Sequence, residues 1–253
     1  MDLRKDYARI YARRFRSGLV SLAVHRVLRA GFGFLLLPYW QPSREGLGGI
    51  AQDGPLLVAC NHPTMLDPIL LVVLFPRRLC LLMGRQVRGI PLLGWLFHQS
   101  GHVTTGEGCL QECQELLDQG LAVGIFPEGE HTYSDRLGEK FHSGVSVLAK
   151  RSGVPVVPVS MLGHQHYLSH RARFMKGGPM KVSVGEPLTC GAEESVAAFS
   201  QRLQAALLEQ MEAAAASRRW RPDWRFRLAQ AFWVPFSWSV FALADRLKPG
   251  NIR

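Results

Sequence analysis

The chain lacks the several apolar runs of ~20 residues that a polytopic membrane protein requires. It also lacks internal repeats and low-complexity linkers, and 47% hydrophobic against 20% charged residues over 253 positions excludes a disordered or fibrous chain. Acidic residues are scarce, 20 Asp and Glu against 30 Lys and Arg, for a net charge of +10. Cysteines are few as well: five, at 60, 80, 109, 113 and 190, with no Cys-x2-Cys pair. That pattern argues against a disulfide framework and points to a reduced, cytosolic setting, with Cys109 and Cys113 as buried neighbours on one helical face. The first residues are too charged for a secretory signal, and no small-residue cleavage site follows them. What is left is one large α/β domain, or two small ones, with ample core.

The positive charge is not evenly spread. Residues 1–30 carry a net +6, residues 217–253 another +6, and the stretch between them −2. Both basic ends adjoin oily, aromatic sequence, which reads as arginine meeting anionic lipid head groups rather than nucleic acid. Residues 7–30 predict a basic helix, and Gly31–Trp40, interrupted by Pro38 and followed by Pro42, an apolar segment. Together they predict a helical hairpin lying in the membrane interface. At the other end Leu228–Ala244 holds 17 uncharged residues, five of them Phe or Trp, around Pro235, and predicts an interfacial or re-entrant anchor.

Between these flanks short apolar runs alternate with helical stretches. Strands are predicted at Leu56–Cys60, Leu79–Met83, Leu121–Phe126, Val154–Met161 and Val182–Val184. Helices are predicted at Pro68–Phe75 with Asp67 as N-cap, within Gly89–Phe97, and at Gly108–Leu117, Gly144–Arg151 and Glu193–Ala216. Uninterrupted apolar strands alternating with helices indicate a mixed, mostly parallel sheet covered by helices on both faces. The predicted division is an interface-binding region at 1–48, a catalytic domain at 49–217 and a basic, aromatic membrane segment at 218–253.

Two groups of residues carry chemistry. His62 leaves the first strand, and Asp67 stands five residues later at a helix start. The carboxylate can fold back, fix the imidazole tautomer and stabilise the imidazolium, as the acid of a triad does; a substrate hydroxyl would then replace the serine. Phe126-Pro127-Glu128-Gly129-Glu130-His131-Thr132 follows another strand, at the sheet edge where open α/β sheets bind ligands. Cys60 ends an apolar strand and reads as core. His164, His166 and His170 lack an acidic or cysteine partner at ligand spacing and read as a solvated loop rather than a metal site.

These blocks resemble the PlsC-like glycerolipid acyltransferases, whose pattern is His-x4-Asp, a middle block ending in Arg, Phe-Pro-Glu-Gly-Thr-Arg-Ser, and an apolar Val-Pro block. Here they stand as His62–Asp67, Gly101–Glu107, Phe126–Thr132 and Val154–Val159, with Phe141, Gly144 and Ala149 at the family's Phe-x2-Gly-x4-Ala run. The resemblance spans roughly residues 50–190. It implies the glycerolipid acyltransferase fold and acyl transfer from acyl-CoA or acyl-carrier protein to a hydroxyl of a membrane lysophospholipid, 1-acylglycerol-3-phosphate first among them, with no metal or other cofactor. His62 is then the general base, Asp67 its orienting partner, Glu128 and Gly129 acceptor contacts, and Val156, Val157 and Pro158 the acyl pocket. Oxyanion donors are expected near Gly129.

Two arginines of the pattern are missing. Glu107 ends the middle block, and His131 stands where the third block has Arg. Neither clamps a phosphate as a guanidinium does. Arg85, Arg88 or Arg136 must replace them in binding a phosphate acceptor, with His131 alongside; otherwise the acceptor is a lipid alcohol without one. A hydrolase using the same pair on water, and a non-catalytic membrane-binding relative, are the other readings the sequence leaves. Localisation is expected at the cytoplasmic face of a membrane, with no nucleic acid partner.

Overall fold

A computed structural model describes residues 18–37, 42–89, 93–166, 178 and 180–216. Its centre is a seven-stranded sheet: β1 (Pro42–Glu45), β2 (Leu56–Cys60), β3 (Leu79–Met83), β4 (Val103–Thr104), β5 (Ala122–Ile125), β6 (Val156–Leu162) and β7 (Met180–Val184). The spatial order is β1-β7-β6-β2-β5-β3-β4, parallel throughout except for the antiparallel β6–β7 pair. The described helices are α1 (Leu19–Leu36), α2 (Asp67–Leu74), α3 (Leu93–Gln99), α4 (Cys109–Asp118), α5 (Gly144–Ser152) and α6 (Val196–Ala216).

β2 shows why the sheet is covered on both faces. All five of its residues are buried, and successive side chains enter opposite layers. Leu56, Val58 and Cys60 join the layer containing Leu36, Leu70, Leu71 and Phe75, from α1, α2 and the residue after it. Leu57 and Ala59 join Cys113, Leu116, Val145, Leu148, Phe199 and Leu203, from α4, α5 and α6. Because β2 lies between β6 and β5, with Cys60 beside Val159 and Ala59 beside Ile125, three parallel strands end at one edge. The loops that leave them carry His164, His62 and Glu128.

Five predicted strands and five predicted helices are present, most with ends shifted by a few residues. β1 and β4 were not anticipated. β1 pairs with β7, so the region drawn at 1–48 includes a strand of the sheet. A second difference concerns α1. No break occurs at Gly31; one 18-residue helix runs through Gly31 and Gly33. Two glycines disfavour a helix by roughly 1 kcal/mol each, but packing decides helix formation in a folded chain. Ser21, His25, Gly33 and Leu36 are buried, while Leu19, Val27 and Phe34 on the other side are 86%, 71% and 62% exposed. By length and composition α1 could cross a membrane. Residues 7–17 and 38–40 of the expected hairpin, and the aromatic segment 228–244, lie outside the described residues.

Where β2 ends, the side chain of Asn61 continues its pairing with β6. Its Nδ2 donates to the Met161 carbonyl at 3.0 Å, and its Oδ1 accepts from the Met161 N–H at 2.7 Å. One buried amide thus replaces a strand residue and leaves the chain free to turn into the His62 loop. Asn61→Leu strands two buried backbone groups, and the expected loss is on the order of 2–4 kcal/mol of folding stability. Urea unfolding checks this, and an unchanged midpoint would contradict it.

Candidate active site

His62 sits at the carboxyl end of the central strand with only 11% of its side chain exposed. Its ring lies against Phe126 (centroids 4.2 Å apart, planes at 25°), with the His131 ring set edgewise to it, centroids 4.4 Å apart. Nδ1 is 2.8 Å from Asp67 Oδ2. A carboxylate can only accept there, so Nδ1 holds the proton and Nε2 presents a lone pair.

Asp67 does not cap α2. Leu66 holds the N-cap position, Asp67 is the first helical residue, and its carboxylate folds back under the loop. Each oxygen takes two donors. Oδ2 accepts from His62 Nδ1 and from the Thr64 N–H at 2.6 Å; Oδ1 accepts from Thr64 Oγ1 at 2.6 Å and from His164 Nε2 at 2.5 Å. Asp67 is fully buried, and burial pushes its carboxyl up. Charge and hydrogen bonding from His164, then His62, outweigh this and hold it at about 2. The sequence reading did not single out Thr64, and it placed His164 in a solvated loop.

For His164 that reading is corrected. It is wholly buried, in the turn that follows β6, not part of a solvated loop. The seven-residue β6 lies beside β2 and delivers it to Asp67. Its place just past an apolar strand, at the edge that holds His62, was the available signal. His166's side chain and His170 lie outside the described residues.

Glu128 is also buried, and both its oxygens are engaged by backbone: Oε1 accepts from the His62 N–H and Oε2 from the Gly138 N–H, each at 2.5 Å. Burial raises its carboxyl, partly opposed by those two bonds. The geometry makes Glu128 a brace between two loops. Further rungs run from the Thr132 N–H to the His62 carbonyl and from the Tyr133 N–H to the Pro63 carbonyl, at 3.1 and 2.9 Å. Gly129 turns this loop at φ +70, where an added Cβ would meet the His142 ring at 2.9 Å. Its own N–H donates to the Phe126 carbonyl at 3.1 Å.

Val156, Val157 and Pro158 are buried inside β6. Val156 packs in the α5–α6 layer and Val157 in the α1–α2 layer. Burial, reinforced by the facing His62 and opposed by Asp67, lowers His131, which carries no charge at neutral pH. Arg85 follows β3 and donates through Nε to the Thr105 carbonyl at 2.9 Å, and its Nη2 lies 2.9 Å from where a Cβ on Gly106 would stand. A guanidinium therefore covers the backbone beside Glu107. Arg136 is exposed on the loop after Gly129; the side chain of Arg88 lies outside the described residues.

A family model described as Acyltransferase matches residues 43–162, which contain His62, Asp67 and Glu128. The match covers just under half of the chain and supports its resemblance to the PlsC-like acyltransferases. Among its relatives is the chloroplastic 1-acyl-sn-glycerol-3-phosphate acyltransferase BAT2 of Brassica napus, 26% identical over 65% of this chain and 50% of its own length. The lyso-ornithine lipid O-acyltransferase of Pseudomonas aeruginosa is 31% identical over 58% of this chain and 64% of its own. The chain thus matches only about half to two thirds of these relatives' lengths. The crystal structure of the Thermotoga maritima 1-acyl-sn-glycerophosphate acyltransferase PlsC superposes with a TM-score of 0.66 over 80% of this chain and 82% of its own, at 22% identity, and supports the same fold.

Ionised Asp67 ties the site to pH. Its carboxyl is held at about 2 against an ordinary 3.8, so its contribution to stability is complete above 3.8 and lost as the pH falls through about 2. The expected loss is on the order of 2 kcal/mol. Urea midpoints of the wild type should fall between pH 5 and pH 2 by that amount more than those of Asp67→Asn. Parallel curves would contradict this linkage.

Proposed function

We propose that this protein transfers a fatty acyl group from an acyl thioester, carried by CoA or acyl-carrier protein, to a hydroxyl of a lysophospholipid at a membrane surface. The observation that carries this reading is the His62–Asp67 pair, with Nδ1 held at 2.8 Å and Nε2 left for a substrate. As the lipid hydroxyl oxygen attacks the thioester carbonyl, Nε2 takes its proton and Asp67 stabilises the imidazolium. Collapse of the tetrahedral intermediate breaks the carbon–sulfur bond, and His62 returns the proton to the departing thiolate. The scheme needs no metal and no acyl-enzyme. Cys60, two residues from the base, is fully buried, and burial, with Asp67 and Glu128 nearby, pushes its thiol well up, so it supplies no thiolate.

For the acceptor, Arg85 supports 1-acylglycerol-3-phosphate. Its guanidinium lies over Gly106, beside the position where the family pattern has the middle-block arginine. A specific observation favours a second reading: Glu107 and uncharged His131 occupy the two arginine positions, and one relative is named for a lyso-ornithine lipid. That reading is transfer to a lipid alcohol without a phosphate monoester. The exposed apolar side of α1, with exposed Arg26 beside it, suits an anionic membrane surface on the cytoplasmic side.

The test is kcat/KM for the full chain in mixed micelles with an acyl thioester and matched acceptors bearing or lacking the phosphate, products identified by mass spectrometry. His62→Ala should lower turnover by ~10²–10⁴-fold without unfolding the protein. Arg85→Ala should raise KM for the phosphate acceptor alone. Near-normal transfer by folded His62→Ala would refute the mechanism. A wild type that prefers the phosphate-free acceptor would establish the second reading.

A further inference from the structure

The acyl-transfer scheme leaves one buried ionisable ring without a role. His164 is wholly inaccessible, so it cannot touch either substrate. Its Nε2 lies 2.5 Å from Asp67 Oδ1, while its Nδ1 is buried with no hydrogen-bond partner among the described residues. A buried, unsatisfied nitrogen costs on the order of 1–3 kcal/mol. An apolar residue at this position would avoid that cost and would also withdraw a donor from Asp67. All the polar contact the ring makes is with the carboxylate behind His62. The next residue, buried Gln165, bonds to Asp135 on the loop after Gly129, which fixes the turn that carries His164.

We propose that His164 is a positioning residue for the base: its Nε2–H holds Asp67 Oδ1, so that Oδ2 keeps its aim on His62 Nδ1. This inference rests on the reading of His62 as the general base. The other titratable groups around Asp67 come from three strand ends: Cys60 and His62 after β2, Glu128 and His131 after β5, and His164 itself after β6. Cys60 and His131 stay uncharged near neutrality, and Glu128 is tied to backbone N–H groups. His164 and His62 are therefore the two rings whose donors compete for the carboxylate's charge. Withdrawing the His164 donor leaves a more basic carboxylate, which draws the His62 proton more strongly and raises the pH at which His62 titrates.

The experiment is a nitrogen-15 NMR titration of the imidazoles in the full chain, with the His62 signals assigned by their loss in His62→Ala. In His164→Leu, similar in bulk but without a donor, the His62 midpoint should rise by about one pH unit. In His164→Gln, whose amide places a donor near the original Nε2, it should return to the wild-type value. The acid limb of kcat/KM should move with the midpoint in each variant, a response that simple loss of folded protein does not produce. If His164→Leu fails to fold, His164→Asn, too short to reach Oδ1, carries the same expectation. An identical His62 midpoint in wild type and donor-less variant overturns the proposal. The titration is read without substrate, so a wild type inactive in acyl transfer refutes the proposed function while the His164 result stands by its own midpoint.

Discussion

Burying a carboxylate with its charge obliges a fold to bring it donors, and at Asp67 this requirement shapes everything nearby. Four donors converge on its two oxygens: two from Thr64, three residues away, one from His62, and one from His164 nearly a hundred positions along the chain. The local donors require the loop after β2 to double back onto the first turn of α2. The remote one requires β6 to lie next to β2 and to run the same way. An unpaired buried carboxylate would cost several kcal/mol, so strand order and loop shape are coupled to a single ionised group. His62 inherits its tautomer from that arrangement.

Glu128 extends the same logic to the neighbouring strand. Its carboxylate accepts from the backbone of His62 on one side and of Gly138 on the other, so the loop after β5 and the base are held as one unit. The acceptor side is then left with few fixed cations. Arg85 lies at the edge of that region, Glu107 stands where the family pattern has an arginine, and the ring of His131 is uncharged against the base. Under the proposed function, Arg85 is the described cation that stands where an acceptor phosphate would be held.

Much of this was legible in the sequence, for identifiable reasons. Leu56–Cys60 and Leu79–Met83 were read to the residue because apolar strands with both faces buried carry an unbroken hydrophobic signal. His62 and Asp67 were legible because their five-residue spacing spans one loop and one helical start. The edge strand β1, with the sequence Pro-Ser-Arg-Glu, carries no such signal, since an edge strand half in solvent needs little apolar content. α1 was cut at Gly31 because local propensity is visible in sequence, whereas the packing that overrides it is not. His164 was missed because its partner is tertiary: spacing along the chain cannot show that β6 ends beside β2.

If Asp67 acts only through His62, the two residues form one catalytic unit. The direct measurement is a double-mutant cycle on kcat in the full chain, comparing His62→Ala, Asp67→Asn and the combined variant with the same thioester and acceptor. The account predicts that Asp67→Asn lowers kcat in the presence of His62 and has no further effect once His62 is alanine. Losses that multiply in the double variant would contradict it, because Asp67 would then contribute to turnover by a route independent of the base.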